Sequence, residues 1–235
     1  MDAYFWEFFM LFLAVTLGFF VENQREHYIE GKRETKYIKS IIEDLKADTT
    51  WSTQYFLDQY RSVKYYDSVI LLLVLNKRDE LQQQRLYYMA RMAIRLSQFN
   101  RVNDNAYEQM KNSGNLRLLH SQEIIDRISG YYFRTREIES MTNIMISRQQ
   151  ALSEYEGKIF NGNIYQQMVD SKTFNISPPS GNPALITTDS EIINEFIVKA
   201  HYVKSIMLYA INFAKQRKAE AIQLIQFLQN EYHLK

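Results

Sequence analysis

Cysteine is absent from the sequence, and proline and glycine are scarce, with 3 and 7 among 235 residues. Without a thiol the chain can form neither a disulfide nor a thiolate metal site, whichever compartment holds it. Proline and glycine together make up about 12% of average protein sequence, and both disfavour the interior of helices. Their scarcity, with abundant leucine, isoleucine, glutamine, glutamate, lysine and arginine, predicts an all-α fold built from long helices.

Neither sign of charge dominates the sequence. The 28 lysines and arginines nearly balance the 27 aspartates and glutamates, which leaves a formal net charge of +1. Nucleic-acid-binding proteins usually carry a basic patch and have a high isoelectric point. We therefore expect no nucleic-acid partner.

Recognisable catalytic and cofactor motifs are also missing from the sequence. It contains no GxSxG element, no GxxxxGK[ST] phosphate-binding loop and no HExxH zinc motif. A di-metal helical bundle needs Glu-x-x-His elements on inward faces, and the nearest approach, Glu195 to His201, has the wrong spacing. The neighbouring carboxylates Glu43 with Asp44 and Glu154 with Glu156 are interpreted as solvated helix faces. We expect a non-enzymatic protein with no catalytic residue, no metal site and no cofactor.

The segment Ala3–Val21 is a run of nineteen mostly apolar residues that contains six phenylalanines. A cleaved export signal would start with positive charge and end in a small-residue cleavage site, whereas this run follows Met1-Asp2 and leads into Glu22-Asn23-Gln24-Arg25. Nineteen helical residues span about 28 Å, close to the hydrocarbon thickness of a bilayer. The sequence favours an uncleaved transmembrane anchor over residues 1–21, and the alternative is a helix buried in a core or an oligomer.

Four residues of this segment suggest how it would sit in a membrane. Tyr4 and Trp6 lie near one end, where aromatic side chains favour the membrane interface. Glu7 lies about one turn inside the edge of the segment. It is interpreted either as a snorkelling or protonated carboxyl near the headgroups or as a functional intramembrane acid that lines an ion or proton path. Ala14 and Gly18 form a small-xxx-small pair, which allows two helices to approach closely.

Basic residues follow the apolar segment and none precedes it. Those within about twenty residues of its end are Arg25, Lys32, Arg33, Lys36 and Lys39. The positive-inside rule then places the bulk of the chain on the cytoplasmic side of a bacterial inner membrane, with one pass. The periplasmic side is the alternative.

Residues 22–235 are predicted to form one helical bundle domain that continues from the anchor. Spacing and breakers predict helices over 22–46, 55–73, 79–99, 106–111, 121–160 and 189–232. The stretch ADTTWS (47–52) is interpreted as a helix stop and a new N-cap, and 174–188, which holds all three prolines, as a surface loop. Thr188 and Glu191 form a capping box for the last helix.

The last helix carries the most regular apolar pattern. Its residues at alternating steps of three and four are Ile193, Phe196, Ala200, Val203, Met207, Ala210, Ala214, Arg217, Ala221, Leu224 and Leu228. This coiled-coil-like spacing predicts close packing in an elongated antiparallel helical bundle. Arg217 interrupts the seam, as Arg148 interrupts a similar seam of the preceding long helix. The two arginines are either solvated or form an internal polar layer that fixes register or binds an anion.

Two stretches resemble a known family. They are ENQREHYIEGKRETKYIKSIIEDLKADT (22–49), with the element Asp44-Leu45-Lys46, and NAYEQMKNSGNLRLLHSQEIIDRISGYY (105–132). Together they resemble uncharacterised, membrane-anchored helical proteins common in Bacteroidetes, with Met110 where leucine is usual. The resemblance implies an N-terminal anchor and a helical shape, and it implies no activity.

The functional expectation is a membrane-anchored helical scaffold or interaction protein. Its partners would be the lipid bilayer and either further copies of itself or another membrane protein. A ligand-sensing helical bundle and an intramembrane ion or proton path through Glu7 are the alternatives.

Overall fold

A computed structural model describes residues 2–75, 77–95 and 103–234. It is 82% helical, and no β-strand occurs in these ranges. The helices are α1 (Asp2–Leu73), α2 (Glu80–Arg95), α3 (Asn105–Asn112), α4 (Gln122–Phe133), α5 (Thr135–Ile159), α6 (Gly162–Gln167) and α7 (Ser190–Glu231), with a 3-10 turn at Asn115–Leu118. The all-α prediction is confirmed, and the end of the predicted helix 79–99 lies outside the described residues.

Helix α1 runs through the stretch that was predicted to stop it. It has 72 residues, and 47–52 lie within it. The Thr53 hydroxyl donates to the carbonyl oxygen of Thr49 at 2.9 Å, and the ring of Trp51 stacks on Tyr55 one turn away at 5.0 Å. The Thr53 hydroxyl is therefore bonded within α1 and does not cap a new helix. The predicted stop at 47–52 is therefore wrong.

The predicted helix 121–160 is two helices, α4 and α5, separated at Arg134. No proline or glycine marks this break in the sequence. Tyr132, near the end of α4, is buried with its ring stacked on Tyr107 of α3 at 4.5 Å. The end of α4 therefore coincides with a packing contact between helices and not with a helix-breaking residue.

The cap of α7 also differs from the prediction. Asp189 Oδ1 accepts the backbone N–H groups of Glu191 at 2.8 Å and Ile192 at 3.1 Å. This side chain satisfies two of the donors that a helix start leaves without partners. Asp189, one residue after Thr188, is therefore the capping residue.

The chain divides into two compact units. The first comprises the described residues of 1–46, 103–132 and 223–235, and the second those of 47–102 and 133–222. Residues 22–235, which were predicted as one bundle domain, contribute to both units.

The first unit brings together the two stretches that carry the family resemblance. Its most deeply buried side chains come from α1, α3, α4 and the end of α7, and they are Ile38, Ile41, Leu45, Met110, Ile124, Ile128 and Leu228. Between α3 and the 3-10 turn, Gly114 adopts φ +70°, the left-handed conformation expected for glycine after a helix. Asn115 Nδ2 donates to the Tyr37 hydroxyl at 2.9 Å, which connects this turn to α1.

Asp44 of α1 caps α3 across space. Its Oδ2 accepts the backbone N–H of Ala106 at 3.0 Å, and its Oδ1 accepts Asn103 Nδ2 at 2.9 Å. Asp104, the residue that precedes α3, makes no capping hydrogen bond. Burial raises the pKa of Asp44, and the Ala106 hydrogen bond opposes that rise. Asp44 is thus half-buried and hydrogen-bonded within the first unit, whereas the sequence suggested a solvated position.

Replacing Asp44 with alanine is expected to destabilise the first unit by about 1 kcal/mol, because the Ala106 N–H loses its acceptor. Asp44→Asn keeps an acceptor oxygen and should cost less. Chemical unfolding of the full chain measures both. An Asp44→Asn variant as unstable as Asp44→Ala would contradict a capping role.

The second unit has one large apolar cluster formed by α1, α2, α5, α6, α7 and the loop after α6. The predicted seam of α7 lies within the protein: of its eleven positions only Ile193 is half-buried, and the other ten are buried. At the centre of the cluster, Tyr87 is fully buried, with its ring edge-on to Phe160 at 5.2 Å. Its hydroxyl accepts the N–H of Asn161 and donates to the carbonyl of Ala184. This tyrosine thereby fixes the proline-containing loop to the core.

Candidate functional site

The N-terminal part of α1 presents a large apolar surface. All residues from Tyr4 to Val21 are exposed, including Trp6 at 61% and Phe19 at 74% of their full accessibility. Among the described residues, α1 alone is long and apolar enough to cross a membrane, with a mean hydropathy of 1.9 over eighteen residues of which none is buried. Length and hydropathy are properties that membrane anchors share with export signals and core helices. An exposed apolar surface of this size marks an interaction with a membrane or another protein.

The predicted residues of this segment all lie on that exposed surface. Glu7 is exposed and is the only charged residue between Tyr4 and Val21. Ala14 and Gly18 are exposed one turn apart, and no heavy atom lies within 4 Å of where a Gly18 side chain would begin. The small-residue face is therefore open to a second helix.

A buried carboxylate, Glu34, connects three segments of the first unit. Its Oε1 accepts the backbone N–H of His120 at 2.9 Å, lies 2.8 Å from His120 Nδ1 and accepts the Tyr232 hydroxyl at 2.5 Å. The rings of His120 and Tyr232 are edge-on at 5.2 Å. Burial and this hydrogen bond raise the pKa of Tyr232. The arrangement ties α1 to the start of α4 and the end of α7.

A second buried carboxylate, Glu156, lies in the second unit. Its Oε1 accepts the Tyr165 hydroxyl at 2.6 Å, and the Arg91 guanidinium lies 5.4 Å from the centre of the Tyr165 ring. The buried Tyr66 hydroxyl has no hydrogen-bond partner among the described residues. Burial raises the pKa of Glu156 to about 7, although the Tyr165 hydrogen bond and Arg91 lower it. Glu156 was predicted to be solvated, and that prediction is wrong.

The sequence offers only a weak signal for Glu156. The apolar positions of this part of α5 are Leu152, Tyr155 and Ile159. Glu156 follows Tyr155 directly and therefore lies beside the apolar face of the helix and not at its centre. Its burial depends on α2 and α6, which supply Arg91 and Tyr165, and those helices are distant in sequence. A carboxyl with a raised pKa can hold or release a proton near neutral pH. The described residues hold no group of three histidine, cysteine, aspartate or glutamate side chains that could bind a metal ion.

The two seam arginines have different surroundings. Arg217 is buried, and its Nη1 donates to Glu220 Oε2 at 3.2 Å, while Arg134 binds the other oxygen of Glu220. Arg148 is exposed, and its guanidinium lies 5.1 Å from the centre of the Tyr202 ring. Arg217 thus has an acidic partner inside the second unit, and Arg148 faces solvent. The register or anion-binding role of the two residues stays a prediction.

Comparison with known proteins adds no relative to this picture. No family model, no curated protein and no solved structure matches the chain.

Proposed function

We propose that the protein is a non-enzymatic, single-pass membrane protein whose helical units bind further copies or other membrane proteins. The exposed apolar surface of residues 4–21 carries the proposal, because a bilayer covers it completely. Eighteen helical residues extend about 27 Å, which fits the hydrocarbon layer, and a helix satisfies its own backbone hydrogen bonds there. Tyr4 and Trp6 then lie at one interface, and Glu7 is close enough to it for its carboxyl to reach the headgroups.

Charge supports one orientation in this proposal. Five basic residues follow the apolar segment over 25–39. The positive-inside rule then puts the helical units on the cytoplasmic side of a bacterial inner membrane.

Packing supports self-association. Ala14 and Gly18 leave room for close contact between two membrane helices.

The anchor is tested by placing charge at its centre. Leu13→Lys with Leu17→Lys is expected to release most of the protein from membranes washed with alkaline carbonate, whereas the wild-type chain stays in the pellet. Each central lysine costs about 3 kcal/mol of insertion free energy. Immunoblots of the pellet and supernatant measure the distribution, and the intact mass shows whether the segment is retained.

Leu57→Lys is the matched control, because Leu57 is an exposed leucine of the same helix outside the apolar segment. It should leave the protein in the pellet. A wild-type chain that is washed off, or an intact mass that lacks the segment, would overturn the proposal.

A further inference from the structure

A groove lies between α5 and α7 of the second unit. Its volume is about 540 Å³, and it is lined by Asn143, Ile144, Ser147, Arg148 and Ala151 of α5 and by Lys199 and Tyr202 of α7. Small-molecule sites in proteins usually measure about 300–1,000 Å³ and combine an apolar lining with a few polar groups. The volume lies in this range, and most of the lining surface is apolar although four of the seven lining side chains are polar or charged.

Two cations lie in the groove, each held against a tyrosine ring. The Arg148 guanidinium lies 5.1 Å from the Tyr202 ring centre, and Lys199 Nζ lies 4.8 Å from that of Tyr155. Lys158 Nζ lies 4.2 Å from the same Tyr155 ring and adds a third positive charge. Cation–π contacts hold these side chains in place and leave their N–H groups available to an acceptor.

The two cations of the groove are not paired with a carboxylate among the described residues. Neither Arg148 nor Lys199 forms an ion pair with a carboxylate in the part of the chain that the structure describes. Glu195, one turn before Lys199 on α7, is exposed and makes no ion pair with it. By contrast, Lys204, which lies further along α7, is paired with Asp67 of α1. The groove therefore offers two hydrogen-bonding cations without an anion.

We propose that this groove binds an amphipathic organic anion, with a carboxylate or phosphate head between Arg148 and Lys199 and an apolar body along Ile144 and Ala151. A guanidinium presents paired N–H donors that match the two oxygens of such a head. The apolar lining distinguishes this ligand from a free inorganic anion. The site gives the helical units a ligand-binding role that is independent of the anchor.

Isothermal titration calorimetry on the full chain in phosphatidylcholine nanodiscs tests the proposal, with empty nanodiscs as the reference. Octanoate and octyl phosphate are the probes, 1-octanol is the uncharged control and acetate supplies the head alone. We expect both anions to bind at least tenfold more tightly than 1-octanol or acetate. Arg148→Met and Lys199→Met should each weaken octanoate binding about tenfold.

Two further variants show whether weaker binding results from loss of the charge or from misfolding of the protein. Lys199→Arg keeps the charge and should bind octanoate like the wild type, and Lys215→Met removes an exposed lysine of α7 outside the groove and should change nothing. No octanoate binding, equal binding of 1-octanol, or full binding by the Arg148→Met/Lys199→Met double variant would overturn the proposal. Adding phosphatidylglycerol to the nanodiscs identifies the source of the natural anion. If this lipid weakens octanoate binding, the groove binds a lipid headgroup; if octanoate binding is unchanged, the groove binds a soluble anion.

Discussion

Glu34→Ala is expected to destabilise the first unit by about 3 kcal/mol. The substitution removes the carboxylate that accepts the His120 N–H and the Tyr232 hydroxyl and that lies 2.8 Å from His120 Nδ1. A hydrogen bond to a charged group contributes about 1.5–3 kcal/mol, and this substitution removes at least two such bonds at once, while the exposed His120 regains water as a partner. Chemical unfolding of the full chain in detergent measures the change, and hydrogen exchange localises it.

Hydrogen exchange should accelerate in α3, α4 and the last turns of α7, because these helices belong to the unit that Glu34 connects. Glu26→Ala is the matched control, since Glu26 is an exposed glutamate of the same helix. A loss below about 0.5 kcal/mol, the range usual for surface substitutions, would show that Glu34 does not hold the unit together.

Glu156→Gln is expected to stabilise the second unit at pH 8 by up to about 3 kcal/mol. In the wild type, burial raises the folded-state pKa of Glu156 from 4.5 to about 7. Between these values the folded state holds a proton that the unfolded state has released. The free energy of unfolding of the wild type therefore falls as the pH rises from about 4.5 to about 7, and it stays constant at higher pH. The total fall is about 1.4 kcal/mol for each unit by which folding raises the pKa. Glutamine cannot ionise, and it still accepts the Tyr165 hydroxyl.

Melting temperatures of the wild type and Glu156→Gln at pH 4.5 to 8.5 check this result. The difference between them should grow up to about pH 7 and then stay constant, because other titrating groups cancel in the comparison. Glu154→Gln, at an exposed position of the same helix, should follow the wild-type curve. Parallel curves for the wild type and Glu156→Gln would contradict a raised pKa at Glu156.

Local pattern in the sequence accounts for much of the fold. The alternating steps of three and four predicted the buried face of α7, and scarcity of proline and glycine predicted a long helix from the apolar segment onwards. Gly114 after α3 has the left-handed conformation that a glycine following a helix favours. These features depend on neighbours within a few residues, so periodicity and single conformational preferences are sufficient to identify them.

Local preference failed where distant segments decide the outcome. Capping residues at 47–52 did not end α1, and α4 ended without a glycine or proline. Thr49 bonds within α1, and Tyr132 stacks on a residue of another helix. Turn and cap propensities are worth about 1 kcal/mol each, so the packing of a whole helix outweighs them.

The same distinction applies to the polar residues. The sequence by itself determined the all-helical class, the apolar N-terminal segment and the face of α7 that is buried. Only the tertiary structure decided that Glu34 and Glu156 are buried, that Arg134 joins Arg217 at Glu220 and that Arg148 lies in a groove. The physical reason is that a helical period fixes which residues share a face, whereas the burial and charge of one polar side chain depend on the helices packed against it.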